Sequence, residues 1–321
     1  MSTKVGIIGA GSMGTAMAQT IVKNTNVLLY ARRKEICEDI NENKVNSQYF
    51  PNIILHENIK AVNNLKTMQE VEIIFLCIPS SAMKDTVEKL KPIISSDCIL
   101  VSTAKGIGNK DHKTMTQIIE EIIKRPVVCL SGPNIASEMV KNLYASTTIA
   151  CKNEKYLNKV KQVLINDTFK VNANTDVIGT EFCGIIKNII AISQGICEGM
   201  DINNNAKFTV FTRSYNETKS IIEKLGGLRD TVDDYCGFGD IVTASTLTVS
   251  RNHTLGVLRG QRIIIDEKKS GVLFEGKKNT IAMKEICDQL KFNSLTVNFV
   301  YDVIINNNNP KLAFSELWNQ L

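Results

Sequence analysis

The sequence predicts an α/β domain built on a doubly wound parallel sheet, followed by an all-α C-terminal domain. Three observations carry that expectation. Short strands that are apolar on both faces alternate with helical stretches through the first half. A glycine-rich turn follows the first of those strands. After about residue 178 the short strand patterns give way to long helical ones. Strands covered on both faces read as continuous apolar runs, and their alternation with helices is the mark of a parallel sheet.

The elements follow in order. Residues 4–9, Lys-Val-Gly-Ile-Ile-Gly, form a first strand, and residues 14–23 a helix. Residues 26–30, Asn-Val-Leu-Leu-Tyr, form a second strand. Val71 to Ile78 gives another, stopped by Pro79. Residues 98–102 and 126–130 repeat the pattern, and a strand near 146–151 continues the sheet. Helical stretches at 81–91 and 113–124 lie between them. The second part reads as helices at 180–198, 205–224, 228–247, 254–262, 277–290, 295–305 and 310–318. The boundary is placed at 176, giving domains 1–176 and 177–321.

Composition sets the class. At roughly 150 residues per domain, 321 residues fit two domains. A hydrophobic fraction of 43% with 22% charged residues excludes a mainly disordered chain. The net charge of +5 is mild, and no run of five like charges suggests a nucleic-acid surface. A slightly basic balance suits small anionic ligands. No unbroken apolar run reaches the roughly 18 residues of a membrane span, and the start of the chain lacks a secretory pattern. The nine cysteines are scattered without a C-x-x-C pair, so a disulfide framework or zinc site is not expected. They read as small buried hydrophobes in a reducing, cytoplasmic compartment. The three histidines, His56, His112 and His253, make no metal site.

Gly9-Ala10-Gly11-Ser12-Met13-Gly14 is G-x-G-x-x-G, placed between a first strand and a helix. In that context it is the Rossmann-type dinucleotide fingerprint. Gly9 permits the tight turn, Gly11 lets the backbone approach a pyrophosphate, and Gly14 lets helix and strand pack closely. The phosphates then meet the N–H groups of the helix N-terminus. An NAD site ends its second strand in Asp or Glu. Here it ends Tyr30-Ala31-Arg32-Arg33, with no acid before Glu35. Two guanidiniums suit a 2′-phosphate, so NADP(H) is expected to be preferred over NAD(H). The plainer alternative is that one or both arginines are solvated surface.

Residues 179–196 are apolar nearly all round, which implies a buried helix. Lys187 and Asn188 interrupt it, and Cys183, Gly184, Ala191 and Gly195 leave small residues on their faces. Burial or a second cation would lower the lysine's pKa and make it a proton donor and acceptor. A lysine snorkelling at a helix margin is the alternative. Two loops follow strands at the carboxyl edge of the sheet, where such folds bind ligands. They carry Thr103-Ala104-Lys105-Gly106 and Ser131-Gly132-Pro133-Asn134. Gly132 and Asn134 lie where backbone N–H groups could receive anionic oxygens. In the helical part, Asp240 follows a glycine-flanked turn, and Ser250-Arg251-Asn252 supplies a forked donor and an amide suited to phosphate. Helix caps for Asp240 and Ser250, and a surface ion pair for Arg251, are the alternatives.

Taken together, these residues resemble the soluble NAD(P)-dependent glycerol-3-phosphate dehydrogenase family. The matching segments are GAGSMGTAMA (9–18), IPSSAM (78–83), STAKGI (102–107), LSGPNIASE (130–138), CGIIKNIIAISQGI (183–196), NNAKFTVFTR (204–213), GFGDIVTAS (237–245), SRNHTLG (250–256) and FEG (274–276). They lie in the family's order over nearly the whole chain. The resemblance implies reduction of dihydroxyacetone phosphate to sn-glycerol 3-phosphate, the entry to phospholipid backbones. It implies that Lys187 is the catalytic lysine, with Lys105 and Asp240 beside it. Lys105, Gly132, Asn134, Lys187, Asn188, Asp240, Ser250, Arg251 and Asn252 would bind a small phosphorylated three-carbon substrate. Gly9, Gly11, Ser12, Met13, Gly14, Arg32, Arg33, Lys105, Ala136, Arg251 and Glu275 would contact the cofactor. A homodimer is also implied.

The chain departs from the family pattern at Met13, at Ala244 where Thr is usual, and at Phe208 and Thr209 where small residues are usual. Those changes bear on substrate fit and turnover, not on the reaction class. Two other readings stand beside the main one. A ketopantoate reductase or 3-hydroxyacid dehydrogenase would share the N-terminal glycines and helical domain, but not the SRN and AKG segments. A non-catalytic NADP(H)-binding regulator would keep the fold, and is expected to lack Lys187 or Arg251.

Overall fold

In the computed structural model, residues 3–108, 111–246, 250–265 and 274–321 are described. Eight strands form one sheet: β1 (Val5–Ile8), β2 (Val27–Tyr30), β3 (Ile59–Val62), β4 (Ile73–Leu76), β5 (Ile99–Ser102), β6 (Val128–Ser131), β7 (Ala145–Ala150) and β8 (Phe169–Asn174). Their spatial order is β3-β2-β1-β4-β5-β6-β7-β8. β1 pairs in parallel with both β2 and β4, so the order of connection reverses between β1 and β4. A doubly wound sheet opens its ligand crevice at such a reversal.

Every residue of the central strands β1, β4, β5 and β6 is buried, successive side chains entering opposite faces. Ile73 and Phe75 of β4 enter one core with Ile7, Leu29 and Val101. Ile74 and Leu76 enter the opposite core with Ile8 and Leu100. Helix α1 (Ser12–Ile21) fills the first core through Ala16, Met17 and Ile21. The helices at Met83–Leu90 and Met115–Ile123 fill the second through Met83, Val87, Met115 and Ile119.

β7 differs from expectation: it joins β6 antiparallel, and β8 then runs parallel to β7. The connection between β6 and β7 holds only the four-residue helix Ala136–Met139. At about 1.5 Å per residue that helix covers roughly 6 Å, less than the roughly 13 Å of a four-residue strand. It does not carry the chain back across the sheet for a parallel return. Two further strands, β3 and β8, form the sheet edges. Their sequences alternate buried and exposed positions (Ile59-Lys60-Ala61 and Phe169-Lys170-Val171).

With α2 (Lys34–Glu38), α3 (Met83–Leu90), α4 (Met115–Ile123), α5 (Ala136–Met139) and α6 (Glu154–Leu164) among the strands, the helical part begins with α7 (Val177–Gly199) and α8 (Asn204–Lys224). The expected single helix over 228–247 is instead a 3₁₀ turn (Arg229–Asp233), a π-helical turn (Tyr235–Gly239) and a short helix α9 (Asp240–Thr246). Gly237 lies in the π-helical turn, where a Cβ would come 2.1 Å from the Val232 carbonyl oxygen, so this close approach of the two turns requires glycine. Then come α10 (Arg251–Gly260), α11 (Glu275–Gln289), α12 (Leu295–Ile304) and α13 (Pro310–Trp318). By length and composition α7 could cross a membrane, but 83% of its apolar window is buried inside the protein. Packing against protein therefore accounts for its apolar character.

The chain separates into two compact units. One comprises Met1–Ala104 and Lys113–Val177, the other Lys105–His112 and Ile178–Leu321. The segment Lys105–His112, which falls within the first domain by sequence, thus packs with the helices. Its Ile107 belongs to the helical core beside α7 and α12 residues such as Ile189 and Val300.

Candidate active site

The turn after β1 joins a glycine of positive φ, a close helix–strand contact and an uncapped helix start. Gly9 has a φ of 110°, a conformation that favours glycine. A Cβ on Gly14 would lie 1.7 Å from the Gly9 carbonyl oxygen, so only glycine lets α1 seat this close to the strand. A Cβ on Gly11 would meet nothing within 4 Å. Gly11 is also the N-cap of α1 and supplies no side-chain cap. The first N–H groups of α1, at the exposed Ser12 and half-buried Met13, thus have no side-chain partner from the cap position. Open space, an uncapped helix N-terminus and the sheet reversal fit a dinucleotide pyrophosphate. Asn46, which the sequence did not single out, braces this turn. It is 1% exposed, and its Nδ2 donates to the Ala10 carbonyl at 3.1 Å and to Thr15 Oγ1 at 2.8 Å.

Beyond β2, Arg32 and Arg33 are both exposed. Arg33 donates to Gln48 Oε1 and lines a cavity of about 540 Å³ with Glu35, Ile36, Asp39, Asn46, Ser47 and Gln48. Two carboxylates, Glu35 and Asp39, share that cavity with the Arg33 guanidinium. The Ser47 N–H holds the Asp39 carboxyl below its usual range.

Gly132 and Asn134 also belong to the first unit. A Cβ on Gly132 would lie 2.9 Å from Thr147 Cα, so Gly132 is a packing glycine against β7. The Asn134 amide donates to the Ser146 carbonyl at 2.9 Å and accepts from Thr147 Oγ1 at 3.0 Å. Both ends of that side chain are thus engaged with β7. Ala136 opens the short helix Ala136–Met139 and is half-buried.

In the helical unit three chemically active side chains converge. Lys187 projects from α7, and its Nζ donates to Asp240 Oδ1 at 2.8 Å. Lys105 Nζ donates to the other oxygen, Asp240 Oδ2. Asp240 is 2% exposed, at the start of α9. Its carboxylate is spent on two ammonium groups and does not cap the helix. Burial lowers the Lys187 pKa to about 8, with the Asp240 charge opposing and the Lys105 charge adding to the fall. A lysine so placed exchanges its proton near neutral pH.

The other expected residues of the helical unit lie on or beside α7, α8, α9, α10 and α11. Asn188 is buried, and its amide donates back to the Gly184 carbonyl at 3.5 Å. Ser250 caps α10, accepting the His253 N–H at 3.3 Å. Arg251 is exposed in the first turn of that helix. Asn252 Oδ1 accepts the Gly276 N–H at 3.2 Å, which fixes the amide with its donor end turned away from α11. Glu275 begins α11 and is half-buried. α10 lies close on α7: Cβ atoms on Gly195 and Gly256 would come within 2.2 Å of carbonyl oxygens on the facing helix. Phe208 is 54% exposed and packs edge-to-face on Phe211 with ring centres 6.5 Å apart. Ala244 is buried one turn after Asp240.

A dinucleotide-binding sheet and a helical unit with a lysine–carboxylate–lysine cluster define a pyridine-nucleotide-dependent dehydrogenase. Comparison with known proteins gives the particular family. The model of the N-terminus of NAD-dependent glycerol-3-phosphate dehydrogenase matches residues 4–157, and that of its C-terminus matches residues 176–315. The chain belongs to this family. It is 34% identical to a glycerol-3-phosphate dehydrogenase (NAD(P)+) of Clostridium botulinum over 98% of this chain and 97% of the relative. It is 35% identical to that of Clostridium acetobutylicum, over 98% and 96%. A solved glycerol-3-phosphate dehydrogenase from Coxiella burnetii superposes with a TM-score of 0.90 at 28% identity, covering 98% of both chains. A ketopantoate reductase from Ralstonia eutropha, at 13% identity and a TM-score of 0.63, shares the fold alone.

Proposed function

We propose that the protein reduces dihydroxyacetone phosphate to sn-glycerol 3-phosphate, reversibly, with NAD(P)H. The observation that carries this is Asp240 bridging Lys187 and Lys105, in a chain matched to the family through both halves. The ketopantoate reductase alternative has only a fold likeness behind it. A non-catalytic regulator would have no need of a lysine tuned toward neutral pH.

The nicotinamide cofactor supplies, when bound, the hydride for the substrate's C2. Gly9, Gly11 and Gly14, with the N–H groups at Ser12 and Met13, are proposed to hold its pyrophosphate. Ala136 and Glu275 are proposed as further contacts. Lys187 as ammonium donates its proton to the carbonyl oxygen, and the resulting amine regains a proton from solvent. In oxidation the amine takes the proton from the C2 hydroxyl. Its positive charge also stabilises negative charge growing on that oxygen. Lys105 weakens the hold of Lys187 on its proton, and Asp240 keeps the pair from carrying an uncompensated double charge. Arg251, Asn252 and Ser250 are proposed to hold the phosphate, so that binding energy remote from C2 orients the reacting carbon.

The proposal extends to a preference for NADP(H), supported by Arg33 lining the cavity beyond β2. It assigns the cofactor largely to residues 1–176 and the substrate largely to 177–321. A cytoplasmic location is proposed from nine cysteines scattered singly along the chain, eight of them buried as small hydrophobes. A homodimer is proposed from the resemblance alone, and sedimentation of the purified protein tests it. The deciding experiment follows absorbance at 340 nm with dihydroxyacetone phosphate and either NADPH or NADH. Oxidation of cofactor that depends on the ketone establishes the reaction. Tight cofactor binding without turnover would overturn it in favour of the regulator.

A further inference from the structure

Lys105 reaches Asp240 on a loop segment, and that segment is fastened by α11. Asn279, one turn inside α11, is 2% exposed, and its Nδ2 donates to the Lys105 carbonyl oxygen at 3.2 Å. Two residues on, Ile107 is buried in the helical core. At the end of the segment, His112 Nε2 lies 3.1 Å from Glu285 Oε2, also on α11. Gly276, one turn before Asn279 on the same helix, holds the Asn252 amide. Residues three apart share a helix face, so one face of α11 serves both Asn252 and Lys105.

A buried amide is costly unless it is bonded. Asn279 spends its donor on the backbone of the residue whose ammonium sits on Asp240. The lysine ammonium sits at the end of a flexible four-carbon stem, so the position of the backbone it springs from sets which partners that ammonium can reach. We propose that Asn279 is a positioning residue acting through Lys105: it fixes the backbone from which the second ammonium is delivered to Asp240 beside Lys187. This rests on the reading of Lys105 as part of the reactive cluster. Asn279 itself touches no substrate in this account.

A double-mutant cycle tests it, with kcat for dihydroxyacetone phosphate measured in the intact enzyme, Asn279→Leu, Lys105→Met and the double variant. Small misplacements of a reacting group cost up to two orders of magnitude. Asn279→Leu is expected to lower kcat about tenfold while the dissociation constant of the nicotinamide cofactor stays unchanged. In the Lys105→Met background the same substitution is expected to cost less than about twofold. An equal loss in both backgrounds would show a merely structural role and overturn the proposal, as would an unchanged kcat in Asn279→Leu. An unchanged kcat in Lys105→Met would remove Lys105 from the cluster, and the proposal with it. Asn279→Asp, of the same size without the donor, runs through the same cycle should the leucine variant not fold.

Discussion

Lys187 Nζ lies 2.8 Å from Asp240 Oδ1, and the carboxylate's other oxygen is taken by Lys105. A single buried carboxylate facing two ammoniums leaves a net positive site. Burial and the second cation together set the Lys187 pKa at about 8. The lowered value disfavours the charged form, so Lys187 holds its proton below that pH and loses it above.

Reduction uses the ammonium form. With saturating cofactor, kcat/KM for dihydroxyacetone phosphate is therefore expected to be level below about pH 8 and to fall roughly tenfold per unit above it. Oxidation of glycerol 3-phosphate uses the amine and should rise with pH up to about 8 and level off above it. Lys187→Ala should cut both by orders of magnitude with a modest change in cofactor affinity. A falling limb retained in that variant would assign the titration to another group.

Removing Lys105 takes away a charge that lowers the Lys187 pKa. In Lys105→Met the falling limb for reduction should move to higher pH. The pH–rate profile of that variant, measured beside the unaltered enzyme, checks the direction. A limb moving downward would contradict the arrangement.

Arg33 lines the cavity beyond β2, but so do Glu35 and Asp39. Replacing Arg32 and Arg33 by Ala should raise the KM for NADPH about tenfold or more, the scale of a lost charge-assisted pair, and leave that for NADH nearly unchanged. Steady-state kinetics with each cofactor decides it. An equal change in both would assign the arginines to general surface charge.

The glycines of the first turn separate packing from binding. A methyl at Gly14 would meet the Gly9 carbonyl at 1.7 Å, whereas one at Gly11 meets nothing within 4 Å. Gly14→Ala is expected to cost about 2 kcal/mol or more in stability, within the range of overpacked sites. Gly11→Ala should leave Tm unchanged and weaken cofactor binding. Thermal melts and cofactor titrations of the two variants give opposite patterns if both roles hold.

Glu217 on α8 is 4% exposed and caps α12, accepting from Ser294 Oγ at 2.7 Å, Leu295 N at 3.0 Å and Thr296 N at 3.1 Å. Arg213 pairs with it at 2.8 Å. Glu217→Ala leaves buried donors without partners and should cost about 3 kcal/mol. A denaturant titration checks it, and a loss below 1 kcal/mol would mean that water replaces the carboxylate.

The fold was legible where burial is complete. β1, β2, β4, β5 and β6 are apolar on both faces or nearly so, and α7 is apolar all round, so each stands out in the sequence. The edge strands β3 and β8 were missed because half their side chains face water, which shortens and mixes the pattern. The helix Glu154–Leu164 also went unread. It is capped by Asn153 and buries only Leu157, Val160, Val163 and Leu164 on one stripe. The antiparallel sense of β7 depends on the length of the preceding helix, which strand patterns do not encode. Lys187, Asp240 and Lys105 were legible because charged residues in apolar or glycine-rich settings are rare. Asn46 and Asn279 carried no such signal, since each bonds a backbone carbonyl far away in the sequence, and any residue type supplies a carbonyl.

Lys105–His112 has a consequence for dissecting the molecule. By contacts it belongs with the helices, yet the chain enters and leaves it through the sheet-bearing part. A single cut near residue 177 would therefore yield one fragment with Lys187 and Asp240 and another with Lys105. A helical fragment expressed alone would have a buried carboxylate facing one ammonium where the intact protein has two. Reconstituting the cluster in one piece would take a permuted or spliced gene that carries the eight-residue insert into the helical sequence.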